Sequence, residues 1–218
     1  MSKTKIETLV FDFNGTIIND VDLCLDILNK MLVSANHNTV TKEKYLSIFT
    51  FPIIDYYIKA GFDLKPGGKD DFRSLAVTFN KLYGSQYLNC TLFGDVIPTL
   101  KKYCSKKKMI LLSATKQEEL LKEAEHFGIT SFFDNIIGIK DIYGISKMEE
   151  AEHFFSTHPL DLNSTLFIGD TIHDCQVGKK LKGQTCLVSR GHQSRSVLEK
   201  ARSTFLLDNL AALEEYID

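Results

Sequence analysis

The run IETLVFDFNGT at residues 6–16 joins a short apolar segment to a polar loop. Residues Ile6 to Phe11 have the composition of a buried β-strand, and this strand ends abruptly at Asp12. In an open α/β sheet, ligands bind in the crevice outside the carboxyl ends of the strands. Asp12, Asn14 and Thr16 are therefore predicted to lie at such an edge.

The chain changes to a helical pattern directly after this loop. Val21, Leu25 and Leu28 recur every three or four residues, as expected of an amphipathic helix. Further helical patterns follow, among them one over residues 70–87. The sequence therefore predicts that residues 17–91 are all-helical.

Strand and helix patterns alternate after this helical segment. The later strand patterns cover residues 109–112, 135–139, 165–168, 184–188 and 204–207. Two of the helices are expected to begin with capping boxes, Thr115 with Glu118 and Ser146 with Glu149. The alternation predicts an α/β fold: a Rossmann-like parallel sheet of six strands, covered by helices on both faces. We assign this core to residues 1–16 and 92–218, and an all-helical cap domain to the inserted residues 17–91.

Composition and charge restrict the classes of function. The chain has 218 residues and a formal net charge of −2, so it offers no overall positive field to attract nucleic acid or an anionic membrane. Its longest apolar runs are far shorter than a membrane span, and its first residues do not resemble a secretory signal. A cytoplasmic location is the expectation. The five cysteines include no CxxC pair, which argues against a disulfide framework or a structural zinc site. No sequence feature points to a particular oligomeric state.

Polar side chains gather at the predicted carboxyl ends of four strands. Because parallel strands end at the same edge of a sheet, these side chains are expected to share one crevice. Two carboxylates on facing strand ends suit a hard cation with oxygen ligands, such as Mg²⁺, and a lysine and a hydroxyl beside them suit a phosphoryl group. In chain order, the strand ends carry Asp12, Asn14 and Thr16, then Ser113, then Lys147, and finally Asp170 and Asp174.

This ordered set resembles the four sequence motifs of the haloacid dehalogenase superfamily. The first motif is DFNGT at residues 12–16, the second is Ser113 after a hydrophobic strand, the third is Lys147 before a helix, and the fourth is GDTIHD at residues 169–174. The helical insertion is similar in position to the caps of phosphoglycolate phosphatase and beta-phosphoglucomutase-type members. The resemblance implies a phosphatase that acts on a small phosphorylated metabolite.

The resemblance also implies roles for individual residues. Asp12 would be the nucleophile that accepts the phosphoryl group as an aspartyl phosphate. Thr16 and Ser113 would hydrogen-bond the phosphoryl oxygens, and Lys147 would offset charge on the nucleophile and the phosphate. Positioning and electrostatic stabilisation are most of what phosphoryl transfer requires.

A magnesium ion is the cofactor that the resemblance implies. Its protein ligands would be Asp12, Asp170 and the backbone carbonyl of Asn14. Asp174 would support the site by orienting metal-bound water or Lys147.

Residue 14 departs from the family pattern. Hydrolases of the family usually have a second aspartate here, which protonates the leaving group and later activates water, and an amide can do neither. General acid–base catalysis typically contributes about 10²- to 10⁴-fold. Three explanations are open for Asn14: a weak or specialised phosphatase, a phosphate-binding relative that has lost turnover, or an engineered Asp-to-Asn change that traps the covalent intermediate.

Two further segments have less specific patterns. The loop at residues 190–195 offers groups that can bind an anion, although surface loops often have this composition. The aromatic residues of the helical segment are expected to pack between helices rather than to grip a substrate ring. They include Phe49, Phe51, Tyr56, Tyr57 and Phe62.

Overall fold

A single parallel sheet organises the chain. The computed structural model describes residues 3–143 and 146–218. Six strands in the order β5-β4-β1-β6-β7-β8 form the sheet, and all neighbouring pairs are parallel, which confirms the predicted fold class. Two short strands, β2 and β3, form a separate antiparallel pair. The strands are β1 (Thr8–Phe11), β2 (Ile18–Asn19), β3 (Thr91–Leu92), β4 (Lys108–Lys116), β5 (Asn135–Ile139), β6 (Thr165–Gly169), β7 (Gln184–Val188) and β8 (Phe205–Leu207).

Strand β1 lies in the middle of the sheet and is buried on both faces. Leu9 and Phe11 belong to the apolar cluster on one face, and Val10 belongs to the cluster on the other, as the two-residue period of a strand requires. Asp12 follows directly, and its backbone N–H donates to the carbonyl of Ile168 in β6 at 2.8 Å. The central strand therefore delivers Asp12 to the carboxyl edge of the sheet.

Helices cover both faces of the sheet, which the sequence pattern predicts. Helices α5 (Val96–Tyr103) and α6 (Gln117–His126) contribute to one apolar cluster, and α7 (Met148–Thr157) and α8 (Ile172–Lys180) contribute to the other. A short helix, α9 (Arg195–Leu198), follows β7.

The two predicted capping boxes are wrong. Strand β4 extends through Thr115, whose hydroxyl donates to Asn14 instead of capping a helix. Helix α7 has Lys147 at its N-cap position, and the hydroxyl of Ser146 accepts from the Met148 N–H. The N-cap positions of α6 and α7 are occupied instead by Lys116 and Lys147, one residue after each predicted cap.

Residues 17–91 contain four helices and a second apolar core. The helices are α1 (Val21–Ser34), α2 (Lys42–Ile48), α3 (Ile53–Ala60) and α4 (Phe72–Gly84). Their buried side chains, such as Leu28, Leu32 and Tyr45, form a cluster of their own. The prediction of an all-helical segment is wrong at its base, because Ile18–Asn19 pairs with Thr91–Leu92 where the segment leaves and rejoins the sheet. No helix in the described residues is long and apolar enough to cross a membrane.

Candidate active site

Lys147 joins two carboxylates at the carboxyl edge of the sheet. Its ammonium contacts Asp12 and lies 2.6 Å from the Asp174 carboxylate, and it donates to the carbonyl of Leu112 in β4 at 3.0 Å. Burial would lower the pKa of Lys147, but the two carboxylates outweigh this effect and raise it above its usual range. The lysine therefore stays charged between the two acids.

The two acids paired with Lys147 differ in their surroundings. Burial raises the pKa of Asp12, the charges of Asp174 and Asp170 add to the rise, and Lys147 opposes it. Burial acts on Asp174 in the same direction, but the ion pair and hydrogen bond with Lys147 and a hydrogen bond from Thr171 lower its pKa overall. Thr171 and Asp174 form the capping box of α8, with the Thr171 hydroxyl donating to Asp174 at 2.6 Å. Asp174 is thus held in place by its own helix.

The Asp170 carboxylate accepts two hydrogen bonds and lies in close contact with two glycines. The Thr16 hydroxyl donates to one carboxylate oxygen at 3.1 Å, and the His192 N–H donates to the other at 2.5 Å. Gly15, at φ 69°, and Gly191 both approach so closely that a Cβ at either would overlap this carboxylate. Burial raises the pKa of Asp170 to about 6, against the opposing effect of His192.

Asn14 is fixed at both ends of its amide. Its Nδ2 donates to Asp20 and to the Tyr83 hydroxyl, both at 2.8 Å. Its Oδ1 accepts from the Thr115 hydroxyl at 3.0 Å, and that hydroxyl in turn accepts from Ser113 at 3.1 Å. The amide is therefore part of a hydrogen-bond chain that runs from β4 to the helical segment.

A second buried ion pair lies beside this chain. The imidazole Nε2 of His192 lies 3.2 Å from Asp20, and its Nδ1 is 2.7 Å from the Tyr45 hydroxyl. Burial would lower the pKa of His192, but Asp20 and Asp170 raise it to about 9. His192 belongs to the loop after β7 and Tyr45 to α2, so the pair connects the sheet to the helical segment.

The donor set fits a hard cation. Carboxylate oxygens of Asp12, Asp170 and Asp174 all lie within 4.8 Å of one another. Lys147 contacts two of these three acids, Asp12 and Asp174, so a divalent cation would offset the remaining negative charge. Oxygen-only donors of this kind suit Mg²⁺.

The predicted site residues meet at one cavity of about 460 Å³. Asp12, Asn14, Ser113, Lys147, Asp170 and Asp174 line it. Thr16 is fully buried and reaches the site through Asp170, so its predicted contact with a phosphoryl group stays a prediction.

Other residues that line the cavity were not identified from the sequence. They include Asp20, Tyr83, Thr115 and Glu123, and the sequence patterns for a strand end or a helix face do not distinguish them. His192 lies in the loop at residues 190–195, which the sequence pattern indicates only as a segment able to bind an anion. Phe49, Phe51, Tyr56 and Tyr57 pack in the helical segment and also line the cavity, which goes beyond the expected packing role.

The chain is similar to known proteins over nearly its whole length. A pyrophosphatase PpaX from Bacillus pumilus (strain SAFR-032) is 24% identical over 215 residues, covering 98% of this chain and 97% of the relative. The structure of a haloacid dehalogenase-like family hydrolase from Streptococcus pneumoniae superposes with a TM-score of 0.82 at 15% identity, over 97% of this chain and 98% of the other. A Haemophilus somnus 129pt protein described as a predicted phosphoglycolate phosphatase gives a TM-score of 0.76 at 16% identity, over 98% and 99% of the two chains.

The family assignment rests on a match that spans most of the chain. The model of the haloacid dehalogenase-like hydrolase family matches residues 9–188, from the strand before Asp12 to the end of β7. This span includes Ser113, Lys147, Asp170 and Asp174. The chain belongs to the haloacid dehalogenase-like hydrolase family.

Proposed function

We propose that the protein is a magnesium-dependent phosphohydrolase that acts on a small phosphorylated metabolite through an aspartyl phosphate on Asp12. The observation that carries this proposal is the ion-pair cluster at the carboxyl edge of the sheet, where Lys147 contacts both Asp12 and Asp174 beside Asp170. A carboxylate nucleophile, a buried cation and further acids at one strand edge are the groups that phosphoryl transfer needs.

Asp12 performs the covalent step. A carboxylate oxygen of Asp12 attacks phosphorus, and the bond from phosphorus to the leaving oxygen breaks with its electron pair remaining on that oxygen. Water then attacks phosphorus, the bond to Asp12 breaks, and inorganic phosphate is released with the carboxylate restored. Lys147 stays within contact of Asp12 and offsets the negative charge of this carboxylate before it attacks and again when its bond to phosphorus breaks.

The metal would be held by Asp12, Asp170 and the backbone carbonyl of Asn14. When bound, Mg²⁺ supplies positive charge that stabilises the phosphoryl oxygens. The Thr16 hydroxyl and the His192 N–H hold the Asp170 carboxylate in its orientation. Asp174 positions Lys147, and Ser113 is placed by its hydrogen bonds with Thr115 to contact the phosphoryl group.

Asn14 limits the leaving groups that the enzyme accepts. An amide that donates to Asp20 and Tyr83 has no proton to transfer to an alkoxide. Esters whose leaving group is already a weak base therefore need no proton from residue 14 for the leaving group to depart. Alkyl phosphates do need one and react slowly. The proposed enzyme is thus a specialised phosphatase rather than a general one.

The helical segment at residues 17–91 acts as a cap domain in this proposal. Its own apolar core separates it from the sheet, and the Ile18–Asn19 and Thr91–Leu92 strands pair where it departs. Tyr45, Phe49 and Tyr83 extend from it over the catalytic carboxylates as part of the cavity wall. A closed cap excludes water during phosphoryl transfer.

The test is phosphate release from p-nitrophenyl phosphate and a panel of alkyl phosphometabolites, with Mg²⁺ and with EDTA. We expect release from p-nitrophenyl phosphate that requires Mg²⁺ and is lost in Asp12→Ala. Circular dichroism and thermal unfolding of Asp12→Ala verify that the variant is folded. Release that persists in folded Asp12→Ala, or without Mg²⁺, would contradict the mechanism.

Asn14→Asp separates the specialised phosphatase from a binding protein. The new carboxyl would lie against Asp20, whose charge raises its pKa and keeps a proton on it at neutral pH. Hydrolysis of alkyl phosphates should rise by about 10²- to 10⁴-fold, which is more than for p-nitrophenyl phosphate, because that ester gains only where the new carboxyl assists the attack of water. If the unmodified protein hydrolyses neither class and Asn14→Asp hydrolyses both, the chain as it stands is a phosphate-binding relative.

A further inference from the structure

Glu123 is a buried acid that the proposed phosphoryl-transfer mechanism does not use. It lies on α6, is 2% exposed, and lines the same cavity as Asp12 and Lys147. Its Oε2 has no hydrogen-bond partner among the described residues. Burial, together with the nearby charge of Asp20, raises the pKa of Glu123 to about 8. A buried polar group without a hydrogen-bond partner is costly to stability. Because Glu123 lies in a cavity wall, a bound ligand could provide the missing hydrogen bond.

The cavity wall around this acid is aromatic. Phe79 and Tyr83 lie on one helix with their rings stacked at 5.9 Å between centroids, and both line the cavity together with Tyr56. A volume of about 460 Å³ is in the range of pockets that hold a ring-sized ligand. Flat aromatic walls of this kind favour a ring in the leaving group.

Most of the cations that line the cavity, among the described residues, are already paired with carboxylates. Lys147 and His192 are already paired with carboxylates, and Lys116 contacts Glu118 at 2.9 Å. Lys81 is exposed at the surface of α4. None of the described residues that line the cavity is an arginine, the side chain best suited to bind a carboxylate or a second phosphate in a bidentate manner.

Asn14 points to the same kind of leaving group. Without an acid at residue 14, the oxygen that leaves must carry the negative charge itself. A phenolic oxygen can do so because the pKa of a phenol is about 10, whereas an aliphatic alcohol is a far weaker acid. The missing acid disfavours an alkyl ester, and the aromatic walls favour a ring among the better leaving groups, so the two observations together point to an aryl phosphate.

We propose that the substrate is a phosphate ester of an aromatic hydroxyl compound whose ring carries a hydrogen-bond donor, such as an amine or a second hydroxyl, and that Glu123 binds this donor. The inference rests on the proposed phosphohydrolase and names its substrate class. In the reaction, Asp12 displaces a phenolate, which takes a proton from solvent, and water then releases phosphate from Asp12. The net change is aryl phosphate plus water to phenol plus inorganic phosphate.

Two matched substrate pairs test the two parts of the proposal. Phenyl phosphate and benzyl phosphate differ in the acidity of the leaving oxygen, and we expect kcat/KM at least tenfold higher for phenyl phosphate. 4-(Aminomethyl)phenyl phosphate and 4-methylphenyl phosphate differ in the donor, and we expect at least a tenfold preference for the amine. Phosphoglycolate and pyrophosphate serve as small anionic competitors and should be the poorer substrates.

Glu123→Gln tests the role of the acid. The preference for the amine over the methyl compound should fall to within about threefold, because kcat/KM for the amine falls. Glu125→Gln, an exposed acid on the same helix, is the matched control and should keep the full preference. Binding of 4-(aminomethyl)phenol, measured by calorimetry, should weaken at least tenfold in Glu123→Gln, and this readout does not depend on turnover. Thermal unfolding verifies the fold of both variants.

Failure of this inference differs from failure of the proposed function. If phosphoglycolate or pyrophosphate is hydrolysed faster than every aryl phosphate, and Asp12→Ala abolishes that activity, the substrate class is wrong and the phosphohydrolase stands. An amine preference that survives in Glu123→Gln, or calorimetric binding that is unchanged, overturns the role of Glu123. If no phosphate ester is hydrolysed in an Asp12-dependent way, the proposed function itself fails.

Discussion

Lys147 holds together two carboxylates that would otherwise repel each other. Its side chain is 4% exposed, and the Asp12 and Asp174 side chains that it contacts are 12% and 6% exposed. Removing one partner of a buried ion pair leaves charge without compensation, which is costlier than the pair itself. The lysine is therefore important for stability as well as for the proposed chemistry.

Lys147→Met should lower the free energy of unfolding by about 3–5 kcal/mol at neutral pH in EDTA. Lys180→Met is the matched control, because Lys180 is exposed and lies 3.7 Å from Glu152, and it should change stability by less than about 1 kcal/mol. Urea unfolding of the three proteins provides the measurement. Equal stability of Lys147→Met and the parent would show that the pair is not a stabilising contact.

Glu123 makes stability depend on pH. Its pKa rises from an ordinary 4.5 to about 8 on folding, so the unfolded chain loses this proton at lower pH than the folded chain does. The stabilising effect of the shift is fully present below pH 4.5 and is lost as the pH rises towards 8. Glu123→Gln removes this dependence.

The parent should therefore become less stable than Glu123→Gln as the pH rises from 4.5 to 8, by on the order of a few kcal/mol. Chemical unfolding of both proteins at intervals across this range measures the difference. A difference that does not change with pH would mean that the carboxyl titrates normally in the folded protein.

At the scale of elements, hydrogen bonds from the loop after β7 connect the helical segment to the α/β core. The side chain of Gln193 donates to the carbonyl of Phe49 at 2.7 Å and accepts from the Ile172 N–H at 2.7 Å. The Ser194 N–H donates to the carbonyl of Leu46 at 3.1 Å. These bonds join the end of α2 to the start of α8.

Gln193→Ala should loosen α2 and α3 without disturbing the sheet. Amide hydrogen exchange should accelerate over residues 42–60, because local opening of this segment no longer has to break the two Gln193 hydrogen bonds. Exchange over residues 108–116 should be unchanged. Gln184→Ala, which removes a hydrogen bond to Asn163 elsewhere in the core, should leave residues 42–60 protected. Uniform acceleration in both regions would indicate global destabilisation instead.

At the scale of the whole molecule, the acidic cluster would couple the proposed metal binding to stability. Asp12 follows β1, Asp170 follows β6 and Asp174 lies on α8, so their close approach exists only in the folded chain. A cation that binds only the folded state stabilises it in proportion to the logarithm of its concentration above Kd.

Mg²⁺ at 100 times its Kd should raise Tm by roughly 5–10 °C, and Ca²⁺ or EDTA controls separate a specific effect from ionic strength. Asp170→Asn should abolish most of the shift, because it removes one of the proposed ligands. Glu150→Gln, a partly exposed acid on α7, should leave the shift intact. Differential scanning calorimetry gives the measurement, and a full shift in Asp170→Asn would place the cation elsewhere.

Most of the fold could be predicted from local patterns, and so could the set of residues at the strand ends. Local patterns depend only on residues that are close in the chain, such as the apolar run before Asp12, the helical periodicity of α1 and the alternation after residue 92. The sequence therefore determined the strands and the parallel sheet, and it placed Asp12, Lys147 and Asp170 at the edge of that sheet. The capping pattern at Thr115 failed because β4 continues through Lys116, which is itself the residue before α6.

The tertiary structure alone decided which side chains meet. Asp20 and His192 are 172 residues apart and form a buried ion pair, and Glu123 joins the same cavity from a third element. The two-residue pairing of β2 with β3 likewise joins residues that are 74 and 72 positions apart in the chain. Such contacts leave no periodicity in the sequence, because they depend on how the elements pack rather than on the spacing within any one of them.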